Sequence, residues 1–109
     1  MKINFNEMEA KVNNRFKDGE GDFIAKIKSD DLNKIIYGTL TPGSSIGYHK
    51  HETNSEIIYI LEGNGKCKYE DEVQSLSKGD CHYCKKGHSH SLINDSDSDL
   101  KFFAVIPEQ

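Results

Sequence analysis

Gly43-Ser-Ser-Ile-Gly-Tyr-His49-Lys-His51-Glu-Thr-Asn-Ser-Glu56-Ile-Ile-Tyr-Ile-Leu-Glu-Gly63 is the stretch around which this chain is organised. His49 and His51 stand two residues apart. On a strand their side chains leave the same face, because side chains alternate with a period of two, and their Cα atoms lie about 6.5–7 Å apart. Glu52-Thr-Asn-Ser55 is a polar four-residue segment that reads as a hairpin loop, which would return Glu56 beside the histidines on the next strand. Two imidazole nitrogens and one carboxylate facing a common point make a transition-metal constellation.

After Glu56 the pattern alternates. Glu56, Ile58 and Ile60 share one face of a strand, and Ile57, Tyr59 and Leu61 share the other. With the first face inside, the second is an apolar outer stripe. Such a stripe predicts a homodimer, and cover by the N-terminal segment is the competing reading.

Elsewhere the chain shows the same β texture. Residues 1–22 are polar and turn-rich, with a short edge strand at Ile3 and Phe5 and a helical turn over Glu7–Val12 as expectations. Strands are predicted at Phe23–Lys28, Lys34–Thr41, Ile46–His51 and Ser55–Leu61. Asn64-Gly65 reads as a tight turn into Lys66–Tyr69, and Asp71-Glu72 turns the chain into Val73–Leu76. Cys81–Cys84, His88–Ile93 and Leu100–Ile106 complete the series, with Asn94–Asp99 as an acidic solvated loop. Short strands every 8–12 residues or so, with almost no helical period, predict an all-β sandwich or barrel.

Composition bounds the function. The 109 residues read as one domain with a core of its own. Net charge is −4 with a single arginine, Arg15, so the chain lacks the basic patch that nucleic-acid binding needs. No apolar run reaches the roughly 18 residues of a membrane span, and Met1–Asn6 lacks an apolar signal core, so a cytoplasmic protein is expected. Cys67, Cys81 and Cys84 are an odd set that argues against a disulfide framework and for buried free thiols. Cys81-His-Tyr-Cys84 does not open a helix as a redox C-x-x-C would.

Two spaced motifs resemble those of the cupins. Gly43, His49, His51, Glu56 and Gly63 stand at the fixed positions of the first cupin motif. Gly79, Gly87, His90 and Asn94 fit the second, with Lys85 where the family usually has proline. Only Asn64 to Lys78 separates them, as in small single-domain bacterial cupins. The resemblance implies a double-stranded β-helix, or jelly-roll barrel, over residues 1–109. Residues 1–22 would form an arm and edge strand, with the motifs at 43–63 and 79–94. It also implies one divalent metal on His49, His51, Glu56 and His90. The residues alone group the first three and leave His88 and His90 as alternatives for the fourth; the family spacing selects His90.

Metal identity stays open among Mn, Fe, Co, Ni, Cu and Zn, all of which accept nitrogen and oxygen donors. Tyr48, Tyr59, His82 and His88 are further candidates for acid–base or supporting roles near an ion. Arg15 is a candidate anion clamp. The leading expectation is a metal-dependent enzyme acting on a small molecule, dioxygenase- or isomerase-like. The alternative is a non-catalytic binding or sensor module with a metal-anchored ligand.

Overall fold

The computed structural model describes residues 1–109. In chain order the strands are β1 (Lys11–Asn14), β2 (Asp22–Ser29), β3 (Asn33–Leu40), β4 (His49–Lys50), β5 (Glu56–Glu62), β6 (Asn64–Tyr69), β7 (Glu72–Ser77), β8 (Cys81–Cys84), β9 (Ser89–Ile93) and β10 (Leu100–Pro107). They form a six-stranded sheet, β1-β2-β3-β10-β5-β8, and a four-stranded sheet, β4-β9-β6-β7. Neighbours run antiparallel throughout. The spacing of strands predicts a sandwich or barrel, and the two sheets give it the jelly-roll form that the cupin resemblance implies.

Period-two alternation builds the core. Glu56, Ile58 and Ile60 of β5 are buried, while Ile57 and Tyr59 are exposed. Leu100, Phe102 and Ala104 of β10 point inward in the same way, and Phe102 stacks on Phe23 of β2 with ring centroids 5.9 Å apart. From the smaller sheet come Cys67, Leu76 and Leu92, so both sheets contribute to one apolar cluster.

Several local expectations are corrected. Glu52–Ser55 is not a hairpin loop: β4 pairs with β9 in the small sheet, whereas β5 pairs with β10 and β8 in the large one. The segment therefore crosses the barrel, and Glu56 faces the histidines from the opposite sheet. Asn64 and Gly65 are strand residues rather than a turn, because the chain again changes sheets at Gly63, whose φ is +91°. Only His49–Lys50 of the strand expected over Ile46–His51 joins a ladder. The edge strand lies at Lys11–Asn14 instead of Ile3–Phe5, and the helical turn falls at Phe5–Glu7 instead of Glu7–Val12.

The outer face of the large sheet is half covered. Phe5 sets its ring 5.8 Å from Tyr37 and 6.3 Å from Phe103. Beyond its reach, Ile57, Tyr59 and Tyr83 remain 40%, 45% and 49% exposed. The N-terminal segment thus covers the β3–β10 part of that face and leaves Ile57 and Tyr59 of the stripe open.

A strap between β1 and β2 closes one end of the barrel. Arg15, Lys17 and Asp18 all take left-handed φ angles of 52°, 56° and 63° without being glycine. Each such residue costs about 1 kcal/mol and persists only where its surroundings hold it. Here Gly47 N–H donates to Phe16 O at 3.0 Å, Ser45 N–H donates to Glu20 O at 2.8 Å, and the Phe16 ring lies 5.2 Å from Phe23. A Cβ at Gly47 would collide with the Lys17 carbonyl. Gly47→Ala should therefore push the strap off the barrel and lower stability by about 2 kcal/mol in urea unfolding. An unchanged midpoint would show that the strap is not pinned there.

Candidate metal centre

The β4–β9 register sets His49 directly opposite His90. His51 follows just beyond β4, tethered by its N–H to His88 O at 2.9 Å and by its carbonyl, which accepts from Gly87 N–H at 2.6 Å. The turn carrying Gly87 is closed by His88 N–H donating to Lys85 O at 3.0 Å, with Gly87 at φ +87°. The turn therefore forms without the proline that Lys85 replaces. Glu56, at the start of β5, arrives from the other sheet.

Four donor atoms converge. His51 Nε2 lies 3.2 Å from His49 Nε2, 3.0 Å from His90 Nε2 and 3.1 Å from Glu56 Oε1. His90 Nε2 is 3.0 Å from the same oxygen. Ligands about 2.1 Å from an ion and sharing an edge of its octahedron stand about 3.0 Å apart. The quartet therefore fits a transition metal with mixed nitrogen and oxygen donors, as cupins commonly bind.

Each imidazole is oriented by an acceptor at its far nitrogen. His49 Nδ1–H donates to Gly47 O at 2.7 Å, and His51 Nδ1–H to Asn54 Oδ1 at 2.6 Å. Asn54 is itself fixed by Nδ2–H donation to Glu108 Oε1 at 3.2 Å. His90 Nδ1–H donates to His82 Nε2 at 3.0 Å, and His82 Nδ1–H to Gln74 Oε1 at 3.0 Å. With an ion at the common point, these bonds would favour the tautomers that turn all three Nε2 lone pairs to it.

The charges follow from burial and contact. Burial alone would raise the Glu56 pKa, but hydrogen bonds from His51 and His90 and their charge outweigh it and bring it down to about 2. Burial holds His49 below the usual imidazole value. Burial also acts downward on His51, yet its bonds to Glu56 and Asn54 win and its pKa rises. The 3.1 Å contact of His51 Nε2 with Glu56 Oε1 needs a proton on Nε2, and a metal would take the place of that proton. A cavity of about 480 Å³ opens on His49, His51 and Glu56, with Phe16, Ile36, Ile46 and Phe102 among its apolar walls and Lys17 among its polar ones.

The remaining candidates separate cleanly. His82 is buried and touches His90 from behind, with Cys67 Sγ 3.3 Å from its Nε2. His88 is half-buried and shares a 2.6 Å hydrogen bond with the Tyr69 hydroxyl. Tyr48 is exposed under the Lys68 ammonium, and Tyr59 lies on the outer face. None of His88, Tyr48 and Tyr59 lines the cavity. Arg15 is no clamp there: its Nε–H donates to Gly19 O at 3.4 Å, and Lys17 is the strap cation that faces the cavity. Cys67 and Cys84 are buried thiols with pKa values pushed up to about 12, first of all by burial, whereas Cys81 is exposed. Asn94 anchors the acidic loop, its Nδ2 donating to Leu40 O and Ser98 O, both at 2.8 Å. Asn54, Gln74 and Gly47 escaped sequence reasoning, since only the folded loops bring them to the imidazoles.

His82 carries a pH signature. Burial, then the His90 charge, hold its pKa at about 4 against 6.5 in an unfolded chain. Between those values the unfolded chain binds the extra proton, so stability falls as pH is lowered from 6.5 towards 4, by at most about 3 kcal/mol from this group. Urea unfolding of chelator-treated protein at pH 7 and 5 should show that loss, and His82→Gln should reduce it. Equal losses in both proteins would refute the assignment.

Comparison with known proteins agrees with this architecture. The sequence matches the Cupin domain family over residues 36–106. An oxalate-binding protein of Thermotoga maritima is 45% identical over 67 residues, which are 62% of this chain and 55% of that protein. The matched segment thus spans only about half the length of that curated relative. The crystal structure of a predicted oxalate decarboxylase from Thermotoga maritima superposes with a TM-score of 0.94 at 30% identity, covering 100% of both chains. A cupin 2 conserved barrel domain protein from Salinispora arenicola shares the fold with a TM-score of 0.79 at 19% identity, over 99% of this chain and 89% of that one. With both motifs inside the matched region and the two-sheet barrel around them, the chain belongs to the cupin family.

Proposed function

We propose that this cupin holds one divalent transition metal on His49, His51, Glu56 and His90 and uses it to bind a small carboxylate of the oxalate class. The convergence of four donor atoms at separations of 3.0–3.2 Å carries the reading. An ion held there would supply a Lewis acid for carboxylate oxygens. The protein's own part is electrostatic and steric. Glu56 stays ionised, the acceptors behind the imidazoles would hold the Nε2 lone pairs towards the ion, and Phe16, Ile36 and Phe102 supply an apolar part of the cavity wall. Three neutral imidazoles and one carboxylate leave a divalent ion with net charge +1, which favours an anionic ligand. The oxalate-binding relative supports that ligand class.

Binding is preferred to turnover on one observation. Of the acid–base candidates, Tyr48, Tyr59 and His88 lie outside the cavity, and His82 stands behind His90. Calorimetry should find one manganese site per chain, and oxalate should then bind the loaded protein and not the chelated one. His51→Ala should abolish metal uptake, and Asn54→Ala should weaken it about 10–100-fold. Unchanged stoichiometry in His51→Ala would overturn the site. Formate appearing from ¹³C-oxalate would replace the binding reading with a decarboxylase.

The open stripe of Ile57, Tyr59 and Tyr83 supports a homodimer formed through the β5–β8 face. Light scattering should give about twice the 12.3 kDa chain mass, and Tyr59→Glu should return it to one. A monomeric wild type would exclude the dimer.

A further inference from the structure

The three imidazoles of the quartet are backed by groups of different kinds. Behind His49 stands the Gly47 carbonyl, which can only accept a hydrogen bond. Behind His51 stands the Asn54 amide, whose Nδ2–H is committed to Glu108, so that Oδ1 faces the ring. Behind His90 stands a second buried imidazole, His82, with its Nε2 3.0 Å from His90 Nδ1. A neutral imidazole carries one N–H and one lone pair, so His82 can face His90 in either sense. Only one sense serves an ion. With the hydrogen on His82 Nε2, His90 must offer its Nδ1 lone pair, and its own hydrogen goes to Nε2, the metal-facing atom. That form has a bond of its own to make, because His90 Nε2–H can donate to Glu56 Oε1 at 3.0 Å.

Gln74 is placed to decide between the two. It lies on β7 opposite Cys67, on the inward face with Leu76. Its Nε2–H donates to Glu72 Oε2 at 3.4 Å, which leaves Oε1 to accept from His82 Nδ1–H at 3.0 Å. A hydrogen held on Nδ1 leaves His82 Nε2 bare. Cys67 Sγ, 3.3 Å from that Nε2, brings a thiol donor to the same lone pair. We propose that Gln74 is a positioning residue for the metal centre: it fixes the tautomer of His82, which fixes that of His90 and keeps His90 Nε2 free to ligate. The proposal rests on the metal reading above. No proton is gained or lost in it; only the nitrogen that carries the hydrogen is chosen.

The contact spans the two sheets. His82 comes from β8, the edge of the large sheet, whereas Gln74 and His90 belong to the small one. Gly47 and Asn54 need no such support, since the groups they turn to their imidazoles have one sense already. His82 does need it, and Gln74 is the partner of its Nδ1.

Zinc affinity measured against a competing chelator, with ¹⁵N NMR of the histidine rings, tests this. Gln74→Leu should weaken zinc about 10-fold. Gln74→Glu, whose carboxylate can only accept, should bind zinc at least as tightly as wild type. In a His82→Leu background, Gln74→Leu should cost no further affinity. In metal-free wild type the His82 hydrogen should sit on Nδ1, and in metal-free Gln74→Leu it should shift towards Nε2. A role in stability alone would move neither the tautomer nor the coupling between the two substitutions. Unchanged zinc affinity in Gln74→Leu, an equal loss in Gln74→Glu, a full loss that persists without His82, or a wild-type His82 hydrogen on Nε2 would each overturn the role of Gln74. Wild type that takes up no zinc would overturn the metal centre itself, and Gln74 positioning with it.

Discussion

A carboxylate buried between two apolar sheets is the constraint on which the rest of this structure depends. Glu56 shares its inward face with Ile58 and Ile60, and it is ionised. An unpartnered charge in such a place costs several kcal/mol, and removing one partner of a buried pair costs about 3–5 kcal/mol. The cost is met by His51 and His90, which must then come from the facing sheet at hydrogen-bond distance. That requirement sets the β4–β9 register, the passage of Glu52–Ser55 across the barrel and the tether between the Gly87 turn and His51.

The same logic extends outward. An imidazole that turns one nitrogen inward leaves a polar N–H on its other side, and inside a barrel that group also needs a partner. Gly47 O, Asn54 and His82 serve, and His82 in turn needs Gln74. Polar satisfaction therefore runs from the centre of the barrel to the half-buried face of β7, in a chain that alternates donor and acceptor.

Much of this was legible in the sequence, and the limits have physical causes. Alternation in Glu56–Leu61 reported which face is internal because period two is a local property of extended backbone. The family spacing of the motifs chose His90 over His88, and the structure brings His90 into the cluster and leaves His88 against Tyr69. What failed was the pairing of strands. A short polar loop looks the same whether the chain folds back on its own sheet or crosses to the other, so Glu52–Ser55 and Asn64-Gly65 were both misread as local turns. His82 and His90 belong to different sheets, and nothing in the spacing of eight residues announces their contact. Left-handed backbone at Arg15, Lys17 and Asp18 had no glycine to signal it, which hid the strap and drew attention to Arg15 instead of Lys17.

Gly47 joins two parts of the molecule through a single residue. Its N–H holds the Phe16 carbonyl of the strap, and its carbonyl holds His49 Nδ1. A displacement of the strap is therefore felt as a rotation of the His49 ring, and a fixed His49 ring in turn restrains the strap. Two events that each tighten this residue share a coupling free energy, and such coupling is reciprocal. Whatever fixes the His49 ring would therefore favour the strap contact, and the strap contact would favour that ring position to the same degree. The barrel mouth and its centre are thus joined through the two sides of one glycine.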